Sequence, residues 1–193
     1  DPGAEPTRLY WSVTEAAATG AEAVKLLLPY HPDHELAAAQ RTVAARVVDE
    51  CRVVGIPLVL EPLFFGLSDP TERAAVVVRT VEHFADTGAD LLKLPFPVDP
   101  AIVTDRDEQG AACRRITDRC RQPWAILSGG GTFESFAAQV EVAVGAGASG
   151  FMVGRALWGE AARAADRDRP AVISDLVVPR WHRLVESMSA RPH

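Results

Sequence analysis

The two lysines of the chain are the residues whose type and position point most directly to chemistry. They are Lys25, in "GAEAVKLLLPY", and Lys93, in "GADLLKLPFP"; the other eighteen residues of the Lys and Arg total are arginines. Both lysines lie in apolar, strand-like runs, where burying an ammonium is costly unless its charge is paired or lost. Arginine stays protonated, whereas a buried lysine can become a neutral amine. We therefore predict that both positions need an amine; the alternative is a pair of lysines that reach solvent from strand ends.

A carboxylate lies between the two lysines in strand order. Glu61 lies near the end of the run "PLVLEP", and pairing with two amines would partly compensate its burial. A lysine must be uncharged to attack a carbonyl carbon, a state favoured by burial and by a neighbouring cation, so this cluster suits Schiff-base chemistry. One lysine would form the imine, the other would attract an anionic substrate, and Glu61 would move protons. The simpler interpretation of Glu61 is a salt-bridge partner.

Two glycine-containing turns follow the last two strand-like runs. "LSGGGTFESF" is a strand, a glycine turn and a helix, and "MVGRALW" contains a second tight turn with Arg155. Glycines let backbone N–H groups approach an anion, a helix N-terminus favours negative charge, and a guanidinium suits phosphate. Each turn alone is a weak signal with a purely structural alternative. Together they favour phosphate binding.

The elements that must position these residues alternate regularly along the chain. Strand-like runs cover 23–30, 56–65, 90–97, 124–128 and 150–155. Helical patterns cover 35–54, 69–86, 105–121, 132–144, 156–165 and about 179–190. Gly55 is a stop signal for the first of these, and Asp69, followed by Pro70 and Glu72, resembles a capping box at the start of the second. The repeat of about 30 residues indicates βαβ units and a parallel sheet.

Five strand–helix units fit either an open doubly wound sheet or part of a (β/α)8 TIM barrel. In barrels the phosphate site commonly follows strands seven and eight, and here the glycine turns follow the last two strands. We therefore expect residues 1–193 to be a single domain, the C-terminal part of a TIM barrel that covers its last five strand–helix units. The first residue is not methionine, which agrees with the expectation of a fragment that begins just before the fourth strand.

Composition narrows the classes of partner. A net charge of −6 and a pI near 5.4 argue against a nucleic-acid partner. No apolar run approaches the length of a membrane span, so no membrane partner is expected. Cys51, Cys113 and Cys120 lack metal-type spacing and predict free thiols in a reducing cytoplasm. "HPDHE" is interpreted as solvated surface rather than a metal site, and no metal or cofactor is expected.

At these residues the sequence resembles a known family, the class I aldolases that include tagatose-1,6-bisphosphate aldolase and sulfofructose-phosphate aldolase. The matching stretches are "GAEAVKLLLPY", "IPLVLEP", "TGADLLKLPFPV", "PWAILSGG" and "GAGASGFMVGRALW". The resemblance implies a (β/α)8 barrel without a metal, with Lys93 as the Schiff-base lysine, Glu61 as the acid/base carboxylate and Lys25 as a further active-site lysine. The residues that it implies for substrate phosphate are Ser128, Gly129, Gly130, Gly154 and Arg155.

The resemblance implies a lyase that cleaves a ketose (bis)phosphate, such as tagatose 1,6-bisphosphate, to dihydroxyacetone phosphate and an aldehyde. A sulfofructose-1-phosphate aldolase of the same family is an alternative. Two further alternatives are a phosphosugar isomerase or synthase that uses Glu61 as a base, and an inactive barrel fragment that only binds anions. A phosphorylated ketose is the expected partner, and a homo-oligomer is compatible with the sequence. Family active-site residues on earlier strands have no counterpart in the chain, so we expect it to be inactive alone.

Overall fold

Five parallel strands form one sheet in the chain. A computed structural model describes residues 3–189. The strands are β1 (Val24–Pro29), β2 (Leu58–Leu63), β3 (Leu91–Leu94), β4 (Trp124–Leu127) and β5 (Gly150–Met152). They pair in their sequence order, β1-β2-β3-β4-β5. A doubly wound sheet reverses its strand order at a switch point, and this sheet does not. The predicted fold is confirmed as five strand–helix units of a (β/α) barrel.

Helices connect and flank the strands. They are α1 (Val13–Ala18), α2 (Ala37–Val54), α3 (Arg73–Phe84), α4 (Arg106–Thr117), α5 (Phe133–Gly145), α6 (Arg155–Arg163), α7 (Arg169–Val172) and α8 (Val178–Met188). Gly55 ends α2 in the left-handed conformation with φ 78°, as predicted. Within residues 3–189, no helix has both the length and the apolar character needed to cross a membrane.

The two faces of the sheet differ in burial, and this difference positions the site. Alternate residues of the strands point toward the helices and form the core. They are almost fully buried: Leu26, Leu28, Leu58, Leu60, Leu92, Leu94, Trp124 and Ile126. The other face is more open at its β1 edge, where Leu27 is 39% exposed. Successive side chains of a strand point to opposite faces. Lys25, Glu61 and Lys93 each lie next to a helix-facing leucine in their strand, so all three belong to this second face.

Several predicted boundaries differ from the structure. Arg155 was expected to end the fifth strand, but it is the first residue of α6. The prediction of a capping box at Asp69 is wrong. The Asp69 side chain accepts a hydrogen bond from the N–H of Thr71, and the residues that follow form a 3-10 turn over Pro70–Glu72. The reciprocal capping box lies at Ser12 and Glu15, at the start of α1, which the sequence analysis missed.

The C-terminal helical segment is longer than predicted. Helices α7 and α8 are joined without a break by a π-helical turn over Ile173–Val177. Pro179 follows this turn within the first residues of α8. Proline lacks an N–H and its ring crowds the carbonyl four residues earlier, so the wider π turn lets the helix continue through it. The prediction extended this helix to Ala190, which lies outside the described residues.

Thr117 joins two helices to strand β4 through its hydroxyl group. The hydroxyl donates to the carbonyl oxygen of Ala146 at 2.7 Å and accepts from Trp124 Nε1 at 3.1 Å. Gly147 adopts φ +102°, and a Cβ there would lie 2.7 Å from Thr117 Cγ2. The turn after α5 therefore needs glycine at this position both for its backbone conformation and for the close approach of Thr117.

The three cysteines are free thiols, as predicted. Burial raises the pKa of Cys113 to about 12 and that of Cys120 to about 12. Both side chains are therefore uncharged near neutral pH, and they behave as small apolar residues in the core or packed against it.

We expect Gly147→Ala to lower the free energy of unfolding by about 2–4 kcal/mol, through left-handed backbone strain and overpacking against Thr117. The matched control is Gly145→Ala in the last turn of α5, where a Cβ meets nothing within 4 Å. Better helix propensity should make the control neutral or stabilising by up to about 1 kcal/mol. Urea unfolding monitored by circular dichroism measures both, and equal effects would contradict the role of Thr117.

Candidate active site

Lys93 lies in β3 on the face of the sheet that points away from the helices. Its neighbours Leu92 and Leu94 are fully buried against the helix layer. The pairing of Leu60 with Leu92 places Glu61 beside Lys93 on the adjacent strand. The strand is apolar because one face is core, and its lysine belongs to the other face. The ammonium is thus near a carboxylate rather than among hydrocarbon side chains alone.

One carboxylate oxygen of Glu61 is shared by the two lysines. Glu61 Oε2 accepts from Lys93 Nζ at 3.0 Å and from Lys25 Nζ at 3.0 Å. The Glu61 side chain is only 7% exposed, so its charge is compensated by these ammoniums rather than by water. The predicted cluster of two amines and one carboxylate is present in the structure.

The two lysines differ in their exposure. The Lys93 side chain is 18% exposed and that of Lys25 is 47% exposed. In the sheet, Lys25 lies opposite Val59, and the residue opposite Glu61 is Leu27. Lys25 is thus two residues further back along its strand than the position that faces Glu61. Its side chain must therefore extend along the sheet to reach the carboxylate. Lys93 is the more enclosed amine and stands beside Glu61 directly.

A cavity of about 450 Å³ opens beside Glu61 and Lys93. All of the predicted site residues except Lys25 line this cavity. Lys25 does not line it, but it donates a hydrogen bond to Glu61, which does. The predicted residues in its wall are Glu61, Lys93, Ser128, Gly129, Gly130, Gly154 and Arg155. Among the described residues of this wall, two cations face one carboxylate. The cavity is therefore suited to an anionic ligand.

The turn after β4 forms one side of this cavity. Gly129 and Gly130 have φ values of +56° and +82°, and the N–H of Gly131 donates to the carbonyl oxygen of Ser128 at 3.2 Å. Successive left-handed residues are readily adopted only by glycine, which explains the glycine run. The following helix α5 is capped by its own residue, because Thr132 Oγ1 accepts from the N–H of Ser135 at 3.2 Å.

The N-terminus of α6 forms the opposite side of the cavity. Its N-cap is Gly154, which offers no side chain to the first turn. Arg155 follows as the first helical residue and is exposed, with no ion pair in the part of the chain that the structure describes. An uncapped helix N-terminus and a free guanidinium on one wall can together hold a phosphate group. The prediction emphasised the start of α5, but the uncapped helix at this cavity is α6.

Apolar side chains complete the cavity and were missed by the sequence analysis. Leu63, Leu127, Met152 and Val153 line it between the polar groups. Except for Val153, they are inward-facing residues at the carboxyl ends of their strands, so strand alternation would have identified them. They limit access of water to the amine and carboxylate, which strengthens electrostatic interactions there.

The histidines of "HPDHE" lie outside this cavity. His31 Nδ1 accepts from the N–H of Asp33 at 3.3 Å, and His34 Nδ1 accepts from the N–H of Leu36 at 3.2 Å. Within residues 3–189, His, Cys, Asp and Glu side chains form no group of three that could hold a metal ion. The two histidines instead contact the ring of Phe65.

Comparison with protein families gives a match over most of the chain. The model of the DeoC/LacD family aldolases matches residues 1–160. Tagatose 1,6-diphosphate aldolase 1 of Streptococcus pyogenes serotype M1 is 30% identical, over 77% of this chain and 53% of that protein. Tagatose 1,6-diphosphate aldolase of Listeria monocytogenes serotype 4b (strain F2365) is 29% identical, over 73% of this chain and 48% of that protein. The chain thus spans about half the length of the curated relatives it matches.

Solved structures of aldolases share the fold. An archaeal fructose-1,6-bisphosphate aldolase, whose catalytic lysine is bound to the carbinolamine intermediate, superposes with TM-score 0.68 and 23% identity, over 93% of this chain and 62% of its own. A Schiff base-forming fructose-1,6-bisphosphate aldolase superposes with a TM-score of 0.66 and 25% identity, over 91% of this chain and 65% of its own. Fructose-bisphosphate aldolase of Plasmodium falciparum superposes with a TM-score of 0.71 and 17% identity, over 93% of this chain and 60% of its own.

Replacing the shared acceptor tests the cluster. We expect Glu61→Gln to lower the free energy of unfolding by about 1–3 kcal/mol, because two ammoniums lose the charge that they share. Glu22→Gln, at an exposed position between α1 and β1, is the matched control and should change it by less than about 0.5 kcal/mol. Both are measured by urea unfolding at neutral pH and low salt. Equal values for the two variants would contradict an energetically coupled cluster.

Proposed function

The chain belongs to the DeoC/LacD family of aldolases, and we propose that it carries the catalytic groups of a class I aldolase that cleaves a phosphorylated ketose through a Schiff base on Lys93. One observation carries this proposal: Lys93 Nζ lies 3.0 Å from Glu61 Oε2, in a cavity whose far wall holds Arg155. An amine, a proton-transfer group and an anion site therefore face one space.

The first half of the reaction forms the imine. Lys93 Nζ first gives one proton to Glu61. Its lone pair then attacks the C2 carbonyl carbon of the ketose, the C=O π bond opens, and a proton moves from the nitrogen to the carbonyl oxygen to give a carbinolamine. Glu61 then donates a proton to the leaving hydroxyl, water departs, and the protonated imine forms. The distance of 3.0 Å between Glu61 Oε2 and Lys93 Nζ is within reach for direct proton transfer.

The second half breaks the carbon–carbon bond. Glu61 removes the proton of the C4 hydroxyl, the C3–C4 bond breaks to release the aldehyde, and its electron pair is taken up by the imine as an enamine. Glu61 returns this proton to C3 of the enamine, and water hydrolyses the resulting imine to dihydroxyacetone phosphate and the free amine of Lys93. Lys25 is a positioning residue here, because it holds Glu61 Oε2 from the opposite side at 3.0 Å.

The substrate phosphate would bind between the turn after β4 and the start of α6. Ser128, Gly129 and Gly130 supply a hydroxyl and a glycine backbone, and Gly154 and Arg155 supply the uncapped helix N-terminus and a guanidinium. These groups bind a dianion without a metal, through N–H donors and one positive side chain. The phosphate would thereby place C2 of the ketose near Lys93.

The names of the relatives support tagatose 1,6-bisphosphate as the first substrate to assay, since the two relatives described above are called tagatose 1,6-diphosphate aldolases. Sulfofructose 1-phosphate is the second substrate for the same assay. We also propose that residues 1–193 form one domain located in the cytoplasm. One hydrophobic core that includes residues from every strand but β5 supports the first statement, and three free thiols support the second.

Borohydride trapping tests the imine. Incubating the native protein that contains this chain with a ketose phosphate and sodium borohydride should add the reduced substrate mass to the peptide that contains Lys93. Lys93→Met should abolish the adduct and the cleavage, whereas Lys25→Met, the matched variant, should keep the adduct on that peptide at a lower rate.

Three outcomes would overturn the proposal. The first is an adduct that maps to another peptide or persists in Lys93→Met. The second is turnover that survives borohydride with no adduct, which indicates an isomerase or synthase that uses Glu61 as a base. The third is stabilisation by phosphate without turnover in the native protein, which indicates a protein that only binds anions.

A further inference from the structure

A second cavity lies beside the candidate active site, on its helical side. It has a volume of about 510 Å³ and lies between the start of α5, helix α6 and helix α8. Its charged lining residues are Glu134, Arg155, Glu160, Arg163 and Arg180. It shares Gly130 and Arg155 with the first cavity, while Ser128 and Lys93 line only the first. The two spaces are therefore adjacent and have a common wall.

The carboxylates of this second cavity are already neutralised. Glu160 pairs with Arg180 at 3.1 Å, and Glu134 pairs with Arg183 of α8. Neither Arg155 nor Arg163 has an ion-pair partner in residues 3–189. Arg163 also interacts electrostatically with the Glu160 carboxylate, without forming an ion pair. Three arginines against two carboxylates still leave the lining of the second cavity with an excess of positive charge.

The two unpaired guanidinium-bearing side chains lie on the same side of α6. A Cβ placed on Gly159 would be 3.7 Å from Arg155 Cβ and 3.7 Å from Arg163 Nη2. The absence of a side chain at position 159 thus leaves the strip of helix surface between them open, and the Arg163 guanidinium folds back along it. Two like charges on one open strip repel one another unless an anion or water separates them.

The third arginine of the second cavity, Arg180, is held by contacts with other parts of the protein. The Arg180 guanidinium stacks over the ring of Phe133, 4.9 Å from its centroid, and its side chain is only 18% exposed. Phe133 is the first residue of α5, so the positive end of that helix faces the same space. A ligand would meet a preorganised wall on this side and two adaptable cations on the other.

We propose that the second cavity binds a phosphate-type dianion, distinct from the phosphate that the candidate active site holds. This inference goes beyond the aldolase proposal and does not require the imine. The ligand has two sources with the same chemistry: free inorganic phosphate, or the second phosphoryl group of a ketose bisphosphate. Arg163 is its specific ligand, and Arg155 can contact an anion in either cavity.

Titration with inorganic phosphate tests the second site directly. Isothermal calorimetry on the native protein should show about two phosphate equivalents per chain. Arg163→Ala should remove one of them, or weaken it by about tenfold or more. Ser128→Asp, which places a carboxylate in the first cavity only, should remove the other. The combined variant should bind neither.

A matched control separates binding from general electrostatics. Arg167→Ala removes the same charge four residues further on, from an arginine that is exposed and paired with Asp168. It should leave both equivalents unchanged. Arg163 is exposed, so its variant should keep the wild-type melting temperature when phosphate is absent. A single equivalent in the wild type, or an unchanged titration in Arg163→Ala, would overturn the proposal.

Displacement distinguishes the two sources of phosphate. If one equivalent of a ketose bisphosphate displaces both phosphates, the second cavity holds the other end of the substrate. If it displaces one, as a ketose monophosphate does, the second cavity holds free phosphate. Failure of borohydride trapping would contradict the imine on Lys93 and would leave these stoichiometries unaffected, so the two proposals fail separately.

Discussion

A single carboxylate oxygen shared by two ammoniums is the constraint on which the site depends. Three neighbouring strands must be in register for Lys25, Glu61 and Lys93 to meet, since each strand contributes one of them. A shift of one residue in any strand would turn its polar side chain into the helix layer. The fully buried leucines that flank Lys93 therefore fix the position of the lysine as well as the core, because they oppose such a shift.

Much of this arrangement could be predicted because it follows from local rules. Lysine is rare enough in the chain that its two positions point to the candidate site, and strand alternation separates Lys93 from the core leucines around it. Sequential strand–helix units imply parallel neighbours, which brings Lys25, Glu61 and Lys93 to one face. The glycines at 129 and 130 mark a turn because no other residue readily takes their backbone conformation.

Other features could not be predicted because they depend on contacts between distant residues. Whether Arg155 ends a strand or begins a helix depends on how far the neighbouring strand β4 extends, and β5 ends at Met152. Proline usually predicts a helix boundary, yet the π turn before Pro179 lets one long helix continue to pack against α5. The balance of charge between α6 and α8 becomes visible only when both helices are in place.

The wall common to the two cavities has a thermodynamic consequence. A residue that contacts ligands on both of its sides links their binding equilibria, and linkage is reciprocal: each ligand changes the affinity of the other by the same factor. If both proposed phosphate sites are occupied, the single charge of Arg155 is shared between two dianions, and the linkage expected between them is negative cooperativity. The ambient anion concentration would then set the apparent affinity for the sugar phosphate, without any change of conformation.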